Sequence, residues 1–209
     1  MFKLGRPDSP LLEQYRRYRA AGKPLSQKIM KTVMTNAVIN RAARGLGLGQ
    51  NNVLVFDSED EMSVLADFAF FEVIQHGQSL VQQYQNEVGP SNDVERGLLD
   101  AMVKAKTGLF RVEEVSKEKS QLDMRSLVED TSLLSLTDLN LSQSALPGFI
   151  IFFRPLVLAD FSMTSGMAFV FAPDLEQKLI KQWAKRSSAE RYSKYFRLSK
   201  TSGIPTVFL

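Results

Sequence analysis

Apolar residues in the first half of the chain recur every three or four positions; in the second half they recur every two. Leu11, Leu12, Tyr15 and Tyr18 or Arg19 fall on one helical stripe. Ser9-Pro10 opens that helix, with a hydroxyl at the cap and a proline at the first helical position, where its missing N–H costs nothing. Gly22-Lys23-Pro24 is expected to stop it, since the residue before a proline avoids helical backbone. Ser26 then starts a second helix. Its Ile29, Val33 and Ala37, with Met30, Met34 and Val38, make a broad apolar face that ends at Gly45. Ser58-Glu59-Asp60-Glu61 has the spacing of a capping box and puts acids at the positive end of the next helix. That helix carries Val64, Leu65, Phe68, Phe71 and Ile74 or Val73, and is expected to end at His76-Gly77. Two more follow: Ser79 to Val88, ending at Gly89-Pro90, and one capped by Ser91 or Asn92 that ends at Thr107-Gly108.

At Gly108 the period changes. Phe110 and Val112 alternate with Arg111 and Glu113, as in a half-buried strand, and Val115 is out of phase, which suggests a bulge. Leu122 and Met124 alternate again, and Leu133, Leu134, Leu136, Leu139 and Leu141 continue with polar interruptions. Leu146-Pro147-Gly148 reads as a type II turn. Phe149 to Phe153, a break at Arg154-Pro155, Leu156 to Leu158, and Met163 to Phe171 supply further strands. After Pro173 the helical period returns, with Leu175, Leu179 and Trp183 on one side and Lys178, Lys181, Lys185 and Arg186 on the other. The expected fold is α+β: an N-terminal helical region over residues 1–107, a mainly antiparallel small barrel or curved sheet of about five strands over 108–173, and a C-terminal helix and basic tail over 174–209. Whether the three share one core is left open by the pattern.

Composition narrows the chemistry. The chain has no cysteine and one histidine, His76, so a thiol nucleophile and any cysteine-ligated zinc or iron–sulfur site are excluded. A Ser-His-Asp arrangement would have to run through His76, which by position is a residue that interacts with the last carbonyls of a helix. Residues 45–49, GLGLG, follow a helix and lack the Lys-Ser/Thr of a phosphate-binding loop; they read as a flexible connector. The four acids Asp57, Glu59, Asp60 and Glu61 invite a cation site, but helix capping accounts for them. No metal and no cofactor is expected. The apolar stretch from Phe149 to Phe171 is broken by Arg154, Pro155 and Asp160, so no membrane insertion is expected, and MFKLGRPDSP forms no secretory apolar region. With no dependence on an oxidising compartment, the expected location is the cytoplasm.

Charge is unevenly spread. Residues 1–45 hold ten Lys/Arg against two acids, residues 46–173 eight against eighteen, and residues 174–209 eight against three. The basic ends either balance the acidic middle within the fold or form a footprint for an anionic partner. Two stretches interleave aromatic and basic residues: Tyr15-Arg16-Arg17-Tyr18-Arg19, and Arg191-Tyr192-Ser193-Lys194-Tyr195-Phe196-Arg197. Arg16, Arg17, Arg19, Arg191, Tyr192, Lys194, Tyr195 and Arg197 are therefore the candidate macromolecule-binding residues, since stacking plus phosphate contact uses this mixture. On helices the same residues can bury their rings and expose their charges. Arg154 either faces solvent at a strand end or is buried, paired with an acid or gripping an anionic ligand.

From about Leu65 to Lys185, the order ADFAFFEVIQHGQSLVQQY, KTGLFRVEEV, LPGFIIFFRPLVL and SGMAFVFAPDL resembles a group of uncharacterised bacterial proteins. These pair an aromatic-rich helix with an xxGLFxVxxV strand and a PGxxxxxRxxxL strand, and some end in a cysteine-rich SEC-C zinc motif. The resemblance implies no activity and no catalytic residues. Without cysteine, this chain cannot hold that zinc motif. The functional expectation is a non-catalytic interaction or scaffold protein with a protein partner or a second copy of itself. The alternative is a nucleic-acid-binding module that uses the basic aromatic segments, and an enzyme is the less favoured class.

Overall fold

A computed structural model describes residues 9–50, 53–58, 60–128, 132–184 and 186–204. The first helix, α1 (Pro10–Val33), is capped by the Ser9 hydroxyl, which accepts the Leu12 N–H at 3.3 Å. It does not stop at Gly22 but runs through Pro24. Leu25, Ile29 and Val33 lie one turn apart and are buried against later helices, while the Pro24 ring faces solvent. Each such buried side chain contributes roughly 1.5–3 kcal/mol, and together they outweigh the ~3 kcal/mol an interior proline costs. The next helix, α2 (Asn36–Leu46), is capped by Thr35 and closed by Gly47 in the left-handed region (φ 80°), whose N–H reaches the Ala43 carbonyl. Gly45 is inside the helix, not its stop. A Cβ there would come within 3.0 Å of the Phe68 ring, so glycine permits this close approach.

The GLGLG stretch is built into the fold and is no free connector. After the Gly47 cap, β1 (Gly49–Gln50) pairs antiparallel with β2 (Val53–Leu54). Three helices follow: α3 (Asp60–Glu72), α4 (Leu80–Glu87) and α5 (Asp93–Lys104). Helix α3 ends four residues before His76. His76 (φ 50°) and Gly77 (φ 79°) are the centre of a tight turn in which Gln75 and Gln78 exchange both backbone hydrogen bonds. His76 is exposed at that turn and not at a helix terminus. Helix α4 has a complete capping box from Ser79 and Gln82, and α5 is capped by Asn92.

The sheet contains β3 (Gly108–Ser116), β4 (Gln121–Ser126), β5 (Leu133–Thr137), β6 (Ile150–Val157), β7 (Ser162–Phe171) and β8 (Gly203–Ile204), in the order β5-β4-β3-β6-β7-β8. All neighbours are antiparallel. One further parallel bridge, Leu136 to Ser162, brings β5 round towards β7. A single bridge does not close a hydrogen-bonded ring, so this is a curled sheet and not a barrel. A four-residue helix, α6 (Leu141–Ser144), lies between β5 and β6. Bulges fall between Val112 and Glu114 in β3 and between Phe153 and Pro155 in β6. The expected break at Arg154-Pro155 is therefore a bulge within one continuous strand. A bulge is where a sheet tolerates a proline, which has no N–H for the ladder. Gly148 (φ 90°) and the bond from Phe149 N–H to the Leu146 carbonyl make the type II turn.

Period two gives the sheet two apolar faces. Phe110, Val112, Ile151, Phe153, Ala168 and Val170 form one cluster with Leu122, Met124 and Leu136. Leu109, Ile150, Phe152, Phe169 and Phe171 point the other way and join the helices in a larger cluster. After a short turn, Pro173–Leu175, the chain ends in α7 (Glu176–Trp183) and α8 (Ser188–Ser202). Both contribute to the larger cluster, as do α1 to α5, so all three regions read from the sequence meet in one apolar body. Of the extended end from Ile204 to Leu209, Ile204 pairs with Val170 as an edge strand; residues 205–209 lie outside the described residues, as do Glu59 and Lys185.

Replacing Pro24 with alanine restores an N–H to the interior of α1 at an exposed position. This should raise stability by ~1–3 kcal/mol in chemical denaturation. An unchanged or lower midpoint would mean that the helix has adapted to the proline.

Candidate functional site

The residues proposed for macromolecule binding do not form one surface. On α1, Arg16 and Arg17 are exposed. Arg19 is engaged: its guanidinium donates to the Asp138 carboxylate at 2.9 Å and to the Thr164 carbonyl at 2.9 Å, and it lies over the Tyr15 ring. On α8, Tyr192 and Tyr195 are in the core. Tyr195 stacks on Phe152 with centroids 4.4 Å apart and donates its hydroxyl to the Leu179 carbonyl at 2.6 Å. Tyr192 meets Phe68, Phe152 and Phe169 edge-on. Rings placed there have no face to offer a base, so the stacking role read for both tyrosines does not hold. Arg191 lies on the Trp183 ring at 4.1 Å, Lys194 is half-buried and Arg197 is exposed. The segment read as a basic tail is the helix that covers the sheet.

The acidic run before α3 also has an internal use. Glu61, almost fully buried, accepts the Asp57 N–H at 2.8 Å, one residue earlier than the capping-box reading places it. Glu61 and Asp57 both bind the Lys200 ammonium, at 2.6 and 2.7 Å. That ammonium is the cation the acids hold, and their pull raises the Lys200 pKa above its usual range.

The chemistry that remains gathers around Arg154. Alternation along β6 puts it on the same face as Phe152, towards the helices, and the bulge follows at once. Arg154 is 3 % exposed. One terminal nitrogen donates to Glu72 at 2.5 Å and the other to the Ala105 carbonyl at 3.3 Å, while the plane of the group lies 4.0 Å from the centre of the Phe71 ring. Beside it, Asp67 accepts the Ser165 hydroxyl at 2.8 Å, and the Tyr192 hydroxyl lies near the same carboxylate without a hydrogen bond to it. Among the described residues, Asp67 Oδ2, Arg154 Nε and the Tyr192 hydroxyl are buried with no partner. Burial raises the Asp67 pKa above the usual carboxylate range, against the pull of Arg154 and the bond from Ser165. Burial and the Asp67 charge push the Tyr192 hydroxyl well up.

A cleft of about 380 Å³ opens over this group. Its floor is Phe71, Glu72, Ala105 and Arg154; its walls carry Ser79 and Gln82 from the start of α4, Lys104 and Lys106 from the segment after α5, and Ser187 and Ser188 from the start of α8. The Lys104–Lys106 segment also borders a second cleft of about 460 Å³, lined on its other side by Phe110, Val128, Pro155 and Val157. Among the described residues no group of three or more His, Asp or Glu is placed to hold a metal ion, and no helix is long and apolar enough to cross a membrane.

A family model described as a family of unknown function, DUF7986, matches residues 9–209. The chain belongs to that family. The match takes in the helices, the sheet and α8 together, and the family carries no known activity. No curated protein and no solved structure matches the chain.

Only Arg154 in this constellation is legible from the sequence, as a charge inside an apolar run. Asp67 and Glu72 interrupt the apolar face of α3 at helical spacing from Val64 and Phe68, which is the one signal that they turn inward with it.

The raised pKa of Asp67 sets a direction for stability. Between its ordinary value in the unfolded chain and its higher value in the fold, the folded state binds more protons, so stability falls as pH rises through that interval. Asp67→Asn removes this penalty and keeps an acceptor for Ser165. It should be more stable than the parent at pH 8, with the gain shrinking as pH drops below the ordinary aspartate range. Urea midpoints across pH check this; a pH-independent difference would refute it.

Proposed function

We propose that this chain is a non-catalytic interaction protein, which binds a protein partner or a second copy of itself at the face around the larger cleft. The observation that carries the reading is the use of its reactive side chains. Arg154 is held by Glu72 and Phe71, Asp67 by Ser165, Arg19 by Asp138 and Thr164, and Lys200 by Asp57 and Glu61. These groups build the core and its joints. What the larger cleft presents outward is an apolar floor with Val157 62 % exposed beside it and Lys104 and Lys106 along its rim. An apolar centre with a charged rim is the anatomy of a protein contact, and its sign suits a partner with an apolar residue set among acids.

Removing α8 is no test of this reading, because Tyr192, Tyr195 and Phe196 are core residues. The discriminating variant is Val157→Glu, at an exposed position that the core does not use. Light scattering and sedimentation of the purified complex or oligomer should show a defined assembly for the parent chain. For Val157→Glu the assembly should weaken by about tenfold or more, as for a central contact residue, with no change in melting temperature. A monomer without partners, or an assembly indifferent to Val157→Glu, would overturn the reading.

The nucleic-acid alternative keeps exposed cations such as Arg17 and Arg197 but loses its stacking rings. Its mark is affinity for single-stranded nucleic acid that falls linearly with the logarithm of salt concentration. Arg17→Ala and Arg197→Ala should reduce both affinity and that slope. If fluorescence anisotropy gives the same isotherms for parent and variants, these side chains make no phosphate contact.

A further inference from the structure

We propose that the smaller cleft, over Arg154, is a binding site for a phosphate group, free or esterified to a small molecule. The site stands apart from the partner-binding face and does not depend on it. Two helices begin in its wall: α4 after Ser79 and α8 after Ser187. Each has a complete capping box, which uses the N–H of the cap and of the third helical residue. By helix geometry, the N–H groups of Leu80 and Val81, and of Ser188 and Ala189, have no carbonyl to bond within their own helices. Two positive helix ends thus meet at one cleft, the backbone arrangement that holds phosphate elsewhere.

The second observation is independent of the helix ends. Arg154 forms the floor, buried on all sides by groups that line the cleft: Glu72, Ala105 and Phe71. Its Nε has no hydrogen-bond partner among the described residues. A buried guanidinium N–H left unpaired is costly and calls for an acceptor. Glu72 is the acid among the lining residues, and its charge is taken up by Arg154. Lys104 and Lys106 stand on the wall with no ion-pair partner among the described residues. The charge left at the cleft is therefore positive, from two ammonium groups and two helix ends. Hydroxyls of Ser79, Ser187 and Ser188 add donors. The volume, about 380 Å³, is at the small end of the range for ligand pockets, which suits a small phosphorylated molecule and not a polymer.

The test is an amide NMR titration of the full chain with sodium phosphate and with glycerol 3-phosphate, at constant ionic strength set by sodium chloride. Saturable shifts at Leu80, Val81, Ser188 and Ala189 are expected with both probes and not with chloride alone. Tighter binding of the ester identifies an esterified ligand; equal binding identifies the free ion. The double variant Lys104→Glu/Lys106→Glu changes surface residues only and should keep its melting temperature while losing about tenfold or more in affinity, as expected for lost charge-assisted contacts. No saturable shift at these amides overturns the proposal, and so do equal shifts with chloride or undiminished binding by the double variant.

Discussion

The ion pair between Arg154 and Glu72 is the constraint on which the arrangement of this molecule turns. Taking both charges out of water costs several kcal/mol per ion, and the cost is recovered only with close geometry and further hydrogen bonds. The structure supplies the carboxylate at one end of the guanidinium, the Ala105 carbonyl at another and the Phe71 ring over its face. Those partners come from the last turn of α3 and the exit of α5, while Arg154 comes from the middle of β6. The pair thus fixes how the helices sit on the sheet at a place where apolar packing alone would accept several registers. Removing either partner would leave a buried charge uncompensated, which is far more damaging than losing a surface pair.

Around this polar joint lies an aromatic seam. Phe152 and Phe169 stack nearly parallel, Tyr195 stacks on Phe152, and Tyr192 and Trp183 close the edges. The seam explains why α8, rich in lysine and arginine, is nevertheless a core element. Its charges project outward while its rings cover the sheet, and Arg191 follows the same rule by lying flat on Trp183. The polar joint fixes orientation and the seam supplies most of the buried area, so the two act at different levels of the same packing.

How much of this was readable in advance depends on the range of the determining contacts. The Ser9-Pro10 start, the Ser79 cap, the Gly148 turn and the phase shift at Val115 are set within a few residues, and each appears where its local chemistry places it. Pro24 is a local signal overruled from a distance: Leu25, Ile29 and Val33 gain more by staying in line than the proline loses. Arg154 shows the same limit for a side chain. Its position within an apolar run allowed either solvent or a buried acid, and only the fold brings Glu72, 82 positions away, to its side. The Tyr192 and Tyr195 rings look like a binding surface as a string of letters, because nothing in the string shows the sheet they cover.

Charge layout follows the same logic. The basic head and basic end face the acidic middle in the fold: Arg19 meets Asp138, Lys28 meets Glu95, and Lys200 meets Asp57 and Glu61. Several of the cations that make the ends look like a binding footprint are therefore neutralised within the molecule. The cations left standing at a concave surface, Lys104 and Lys106, belong to the acidic middle segment, where a sum over the sequence hides them. Segment charge reports the average demand for solvation and pairing, whereas a site depends on which few charges remain unpaired after folding. In this chain the two point to opposite ends of the sequence, and the unpaired set, next to a buried arginine with a free N–H, is the one with work left to do.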